Sequence, residues 1–281
     1  MSDEITVRDL DKLRERIDVI DDKVVDLLKE RAELVLQVKK TKKRENINVY
    51  SPARERQILD RILARASDGN FPLNQLERIF TNIISVSRSL IGELQIAYLG
   101  SKDTFSQEAA VKQFGEAVNF VAEPNQEDLF LAVENGSCHF GVLPFSIKVA
   151  ERLLRSSASV IAELELKEKS ITAPYLVLGT VLPAVTGRDK TSLAFVLADR
   201  PGILSEILEP LTERKISLLN IQSQPLNAEQ YLFYLELRGH ASDPEIKLAL
   251  DKLAGYCKSF RVLGSYPLVY GDLSSQIAGG A

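Results

Sequence analysis

The stretch LDKLRERIDVIDDKVVDLLKERAELVLQVKKTK, residues 10–42, decides the architecture of the N-terminal third of the chain. Leu13, Ile17, Ile20, Val24, Leu27, Leu28, Leu34, Val35 and Val38 recur at helical spacing, and no Gly or Pro interrupts them. The spacing predicts one helix from about residue 8 to about residue 43, roughly 50 Å long if straight. A domain of about 90 residues is too small to bury the whole stripe, so a partner chain is expected. Two more helices follow. SPARERQILDRILARA, 51–66, has Ser51 at the N-cap position and Pro52 at the first helical position. After the break DGNFPL, 68–73, a third helix from about 73 to 91 runs through Leu76, Ile79, Phe80, Ile83, Ile84 and Ser87. Three helices with one overlong member point to an intertwined helical dimer.

The texture changes at Leu94. LQIAYLG (94–100), VNFVAE (118–123) and HFGVLPF (139–145) read as strands, and TFSQEAAVKQFG (104–115) and NQEDLFLAVENG (125–136) as helices between them. This alternation predicts a small parallel or mixed α/β layer. A short helix around 147–156 and two apolar strands, 159–164 and 171–179, complete it. The second of these lies in SITAPYLVLG, 170–179, with Pro174 in its middle, where a buried strand would lose a ladder hydrogen bond. GTVLPAVTGRDK, 179–190, reads as a linker. The rest, from TSLAFVLA (191–198) to SFRVLGSYP (259–267), reads βαββαβ, a sheet with two helices on one face. The domain boundaries expected are 1–93, 94–180 and 190–270, and the tail beyond carries little information.

Composition narrows the function classes. The 281-residue chain has a net charge of -4 with 26% charged residues, which gives no support for nucleic-acid binding. No apolar run is long enough to span a membrane. The start, MSDEITVRDL, is unlike a secretory signal, so a cytoplasmic location is expected. Cys138 and Cys257 lack metal or redox spacing and read as buried thiols, and His139 and His240 are equally isolated. Neither a metal nor a cofactor is expected.

The first block is more basic than the chain as a whole. Arg31 and Lys42 fall within about 20° of one helical face and about 16 Å apart along the axis. Arg14 lies about 100° away from Arg31, so it cannot easily join a site that Arg31 and Lys42 share within one subunit, and a partner subunit's site is the alternative. Arg54 and Glu55 lie in the first turn of the second helix, where a cation opposes the helix dipole. Spacing alone also allows solvated surface charges. Converging in a bundle, these cations would suit a small dianion, because guanidinium groups hold carboxylates in a two-pronged geometry.

Residues 10–42, together with VYSPARERQIL (49–59) and IFTNIISVSR (79–88), resemble the all-helical chorismate mutase domain. IAYLGSKDTFSQEAA (96–110) resembles the start of a prephenate dehydratase domain. DRPGIL (199–204), with QSQP (222–225), is similar to a regulatory ACT domain. The order is that of the fused chorismate mutase/prephenate dehydratase family, the P-proteins of phenylalanine synthesis. The mutase resemblance implies a Claisen rearrangement of chorismate to prephenate. It assigns Arg31, Lys42 and the partner's Arg14 to the substrate's carboxylates and ether region. Lys42 would stabilise charge on the ether oxygen, Glu55 would contact the ring hydroxyl, and Arg54, Ser51 and Ser87 would line the site. Ser51 stands where some members have aspartate. Ile91 stands where the family has Gln or Glu as a second donor to the ether oxygen. Loss of one such donor costs about 2.7–4 kcal/mol, or ~10²–10³ in rate.

The dehydratase resemblance comes with departures. GSKDTFS, 100–106, carries Asp103 in place of a turn glycine, though Thr104 remains, and PFSIK, 144–148, lacks the family's Glu-Asn pair. The family's Thr-Arg-Phe motif falls on Ala173, Pro174 and Tyr175, and a whole second lobe is missing between the last two strands. Loss of dehydratase activity is expected. In the ACT resemblance, Asp199, Pro201, Gly202, Ile203 and Leu204 form a turn and helix start suited to a carboxylate. Gln222, Ser223, Gln224 and Pro225 stand where the family has Glu-Ser-Arg-Pro. Phenylalanine is the default effector. The leading expectation is a homodimeric or higher-order, ACT-regulated chorismate mutase. The alternatives are a non-catalytic amino-acid-sensing or scaffold protein, and a mutase or lyase acting on a chorismate relative.

Overall fold

The computed structural model describes residues 7–45, 52–166 and 174–268, with the backbone alone for 7–9 and 42–45. Three helices come first: α1 (Val7–Glu45), α2 (Pro52–Arg65) and α3 (Leu73–Ile91). Their extents follow the apolar spacing and the Pro52 start. Ser51, the expected cap, lies outside the described residues. The C-terminal half of α3 holds its buried residues, Ile84, Ser85, Ser87 and Arg88. In contrast, Leu13, Ile17, Ile20, Val24, Leu27 and Leu34 of α1 are exposed. The single chain thus leaves this apolar stripe open to solvent.

The second block contains β1 (Gln95–Leu99), α4 (Phe105–Phe114), β2 (Asn119–Glu123), α5 (Gln126–Glu134), β3 (Phe140–Pro144), α6 (Ile147–Leu153), β4 (Ser159–Leu164) and β5 (Tyr175–Gly179). The strands form one mixed sheet in the order β2-β1-β3-β5-β4, with β1, β2 and β3 parallel and β5 antiparallel to β3 and β4. Strand alternation sends Ile96 and Tyr98 to one face, against Ala109, Ala110 and Phe114 of α4. Ala97 goes to the other face, with Leu129, Phe130 and Val133 of α5. Ser146 caps α6, its side chain accepting from the Val149 amide.

One expectation is corrected here. The strand predicted over 171–179 starts only after Pro174, at Tyr175, and β5 is an interior strand between β3 and β4. Proline therefore interrupts no ladder. It sits just before the strand, and its carbonyl accepts the Phe145 amide at 2.8 Å. Residues 171–173 lie outside the described residues. Cys138 is buried as expected, but Cys257 is only half-buried, and burial still pushes its thiol up to about 12.

The third block is βαββαβ as read: β6 (Asp189–Ala198), α7 (Ile203–Glu213), β7 (Leu218–Asn227), β8 (Gln230–Arg238), α8 (Pro244–Ala254) and β9 (Ser259–Pro267). Its sheet order is β7-β8-β6-β9. One face packs against α7 and α8 through Leu193, Phe195, Leu197, Ile207, Leu250 and Leu253. The opposite face, with Ala194, Val196, Leu232, Tyr234, Leu263 and Tyr266, shares a single apolar cluster with the second block.

Polar contacts reinforce that seam. The Arg261 guanidinium donates to the carbonyls of Leu153, Ser156 and Ala158, the last at 2.8 Å. A side chain at Gly264 would collide with the Val160 backbone. Lys190, 2% exposed, lies 2.8 Å from Glu163 of β4 and 3.1 Å from Glu236 of β8. The Tyr234 and Tyr266 hydroxyls donate to Glu236 and Glu163 at 2.8 and 3.3 Å. The two blocks are thus joined through a common core and do not hang on a free linker.

Candidate active site

Arg31, which spacing puts on one face of α1 with Lys42, packs against α3. Its Nη1 donates to the Ser87 hydroxyl and to the Ile83 carbonyl, the latter at 3.4 Å. Ser87 also donates to the Ile83 carbonyl at 2.7 Å, the back-bond a helical serine makes to the preceding turn. Burial lowers the Arg31 pKa, as expected for a guanidinium withdrawn from water. Eight residues further along α1, Lys39 donates to the Leu90 carbonyl at 3.0 Å. This pairs a cation with the C-terminal end of α3, where the helix dipole favours one. Ile91, half-buried, is the last residue of the same helix.

The first turn of α2 supplies Arg54, which is exposed, and Glu55, which is half-buried. The Glu55 carboxylate lies 3.2 Å from Nε of Arg88, a nearly fully buried residue of α3. Arg31, Ser87, Glu55, Arg54 and Ile91 therefore belong to one three-helix unit, with α3 in contact with both α1 and α2. Lys42 falls on α1, but its side chain lies outside the described residues, as does Ser51. Arg14 is not brought to Arg31 within the chain. Its side chain is 75% exposed and meets only Asp11, at 3.3 Å, among the contacts described. About 26 Å of helix separates the two arginines.

Spacing did not single out Lys39 or Arg88. Lys39 was legible only as a neighbour of Lys42 on the same helix. Arg88 carried no signal, because a cation following Ser87 looks like a solvated charge until its tertiary partners are known.

In the third block, Gly202 takes φ +82 at the N-cap of α7, a conformation that glycine adopts without penalty. Asp199, Pro201, Gly202 and Leu204 are exposed and Ile203 half-buried. Arg200 closes over this helix start in a two-pronged pair with Glu206, at 2.7 and 2.5 Å. Gln222, Ser223, Gln224 and Pro225 lie on β7, opposite Tyr234, Phe233, Leu232 and Tyr231 of β8. Ala198 pairs with Gln230, so the 199–202 turn and the Pro225 end of β7 share one end of the sheet, with β8 between them. In the second block, Asp103 has φ +64, which accounts for glycine being the residue suited to that turn. Thr104 donates to the Ser101 carbonyl at 2.9 Å.

Among the described residues, no cluster could hold a metal ion, and no helix is long and apolar enough to cross a membrane. What the helical unit can do is hold an anion between α1 and α3, beside the Ser87 hydroxyl.

Comparison with known proteins agrees with this order of parts. Residues 13–91 match the family chorismate mutase type II, residues 96–167 match prephenate dehydratase, and residues 191–255 match the ACT domain. A bifunctional chorismate mutase/prephenate dehydratase of Aquifex aeolicus (strain VF5) is 27% identical over 356 residues, covering 93% of this chain and 98% of that protein. The protein of the same name from Stutzerimonas stutzeri is 26% identical, covering 92% and 97%. The X-ray structure of a prephenate dehydratase from Streptococcus mutans superposes with a TM-score of 0.54 at 25% identity, covering 62% of this chain and 97% of that one.

Proposed function

We propose that this chain, a chorismate mutase/prephenate dehydratase family protein with an ACT domain, rearranges chorismate to prephenate and no longer dehydrates prephenate. The observation that carries the mutase reading is the Arg31–Ser87 contact across α1 and α3, in a helical unit where Glu55 of α2 pairs with Arg88 of α3. Arg31 and Ser87 would hold a substrate carboxylate and Glu55 the ring hydroxyl. Arg54 would add a second cation, and Lys42 would donate to the ether oxygen as its bond to the ring breaks. The reaction is unimolecular, so the work of the site is to fold the enolpyruvyl arm over the ring and to stabilise the developing charge. A second copy of the chain would bring Arg14 into the site and cover the exposed stripe of α1.

The lost dehydratase activity is supported by chain length and by chemistry. β4 and β5 pair directly as an antiparallel hairpin, with only residues 167–173 between their described flanks. The alignment with the Aquifex protein spans more positions than this chain possesses. The positions that answer to Thr-Arg-Phe hold Ala173, Pro174 and Tyr175, and neither alanine nor proline offers a hydroxyl or a guanidinium. The ACT domain would take a small amino acid, with phenylalanine the first to try, at the 199–204 turn and the 222–225 segment.

Ile91 favours a second reading, a protein that binds chorismate or a relative without rapid turnover, because an aliphatic side chain donates no hydrogen bond. The test is to incubate the purified protein with chorismate and identify the products by chromatography. Prephenate formed without phenylpyruvate is the expected result. Phenylpyruvate from prephenate would contradict the dehydratase part, and unchanged chorismate the mutase part.

A further inference from the structure

Helix α3 presents two working faces. Ile83, Ser87 and Leu90 meet α1. Asn82, Ser85 and Arg88 meet the turn that ends α4 in the second block. There the Asn82 side-chain oxygen accepts the Glu116 amide at 3.4 Å, and Ser85 Oγ accepts the Ala117 amide at 3.1 Å. Gly115, with φ +69, lets that turn lie flat on Ser85, where a Cβ would collide.

Arg88 joins this turn to the candidate site. It is 4% exposed. Its Nη2 donates to the Phe114 carbonyl at 2.8 Å, at the negative end of α4, and its guanidinium lies 5.4 Å from the Phe114 ring centroid. Its Nε lies 3.2 Å from the Glu55 carboxylate. A guanidinium buried this deeply needs a counter-charge, and Glu55 supplies it. Phe114 is itself fully buried, so the guanidinium is held from behind by a residue of the second block.

We infer that Arg88 is a positioning residue for Glu55, and that the dehydratase-type lobe, through the Phe114 carbonyl, buttresses the mutase site. The inference rests on the mutase reading above. A ring hydroxyl entering the site meets a carboxylate whose place is set by Arg88, which spares the substrate the cost of ordering it. The dehydratase-type lobe thereby acts as a wall of the neighbouring site.

The test uses the full chain and four variants: Arg88→Gln, Arg88→Lys, Glu55→Gln and the double variant Arg88→Gln/Glu55→Gln. Each is followed by chorismate kinetics and by thermal unfolding. Arg88→Gln is expected to lower kcat/KM by about 10- to 100-fold, as misplacement of a binding group does. Arg88→Lys should recover part of this, and the double variant should be no worse than Glu55→Gln alone. Asn82→Ala, which touches the lobe but not Glu55, should stay within about twofold of the parent, the size of a loss at a site that couples to nothing. If Arg88→Gln lowers the unfolding temperature yet keeps the parent's kcat/KM while folded, the role is structural and the inference is wrong. Multiplying losses in the double variant would also overturn it. Should Arg88→Gln not fold, Arg88→Lys carries the test: a loss that vanishes in the Glu55→Gln background supports positioning, and no loss opposes it. A parent protein without turnover sinks the mutase reading itself, whereas an active parent with an indifferent Arg88 sinks only this inference.

Discussion

Arg31 on α1 donates to the hydroxyl of Ser87 on α3, joining two residues that lie 56 positions apart in the chain. The contact orients a half-buried cation before any ligand arrives, and a preorganised donor loses less on binding than a free one. Arg31→Ala should therefore lower kcat/KM for chorismate about 10- to 100-fold, the size of a lost charge-assisted hydrogen bond. Ser87→Ala should cost less, about 2- to 10-fold, as a neutral donor does. Arg31→Lys keeps the charge but loses the planar fork, and should fall between the two. Steady-state kinetics on the three variants checks the order.

The exposed stripe of α1 gives a prediction about assembly. Ile17, Ile20 and Leu27 are 55%, 56% and 64% exposed in the single chain, and each such side chain gains about 1.5–3 kcal/mol when fully buried. Sedimentation should show a dimer or larger assembly of the 31.2 kDa chain. Ile20→Asp with Leu27→Glu should dissociate it and abolish mutase activity, because Arg14 would no longer reach a partner's site. A fully active monomer would contradict this account.

The seam between the second and third blocks predicts an alkaline limit to stability. Burial pulls the Lys190 ammonium down, but Glu163 and Glu236 outweigh it and leave the pKa raised. Burial, with those carboxylates beside them, pushes the Tyr234 and Tyr266 phenols well above their usual range. All three groups hold their protons more tightly when folded, so their contribution is complete below the unfolded range of about 10 and is lost as pH rises beyond it. The urea midpoint should be flat from neutral pH to about 9 and fall above about 10. Lys190→Met should cost about 3–5 kcal/mol at neutral pH, because it leaves two buried carboxylates without their cation. A midpoint unmoved by high pH would mean that the network contributes nothing.

Local pattern carried most of the fold. The apolar period of α1, the proline that starts α2 and the strand–helix alternation after Leu94 each act within about ten residues, and each was legible. Pro174 misled because alternation cannot tell whether a proline lies inside a strand or just before it. Hydrogen bonding decides, and the Phe145 amide takes the Pro174 carbonyl. The site was half legible. Arg31, Ser87 and Glu55 could be named from spacing and resemblance, and the structure brings them into one helical unit. Arg88 and Lys190 could not be named, because a buried charge is distinguished from a surface one only by partners on other elements: Phe114 and Glu55 for the first, Glu163 and Glu236 for the second.

The central proposal is that the helical unit turns chorismate into prephenate although Ile91, the last residue of α3, can donate no hydrogen bond. The most direct measurement is chorismate turnover by the parent protein and by Ile91→Gln under the same conditions. The account predicts measurable prephenate formation by the parent and a gain of up to ~10²–10³ in rate for the variant. No turnover by the parent, with activity appearing only in Ile91→Gln, would contradict it and mark the native protein as a binder.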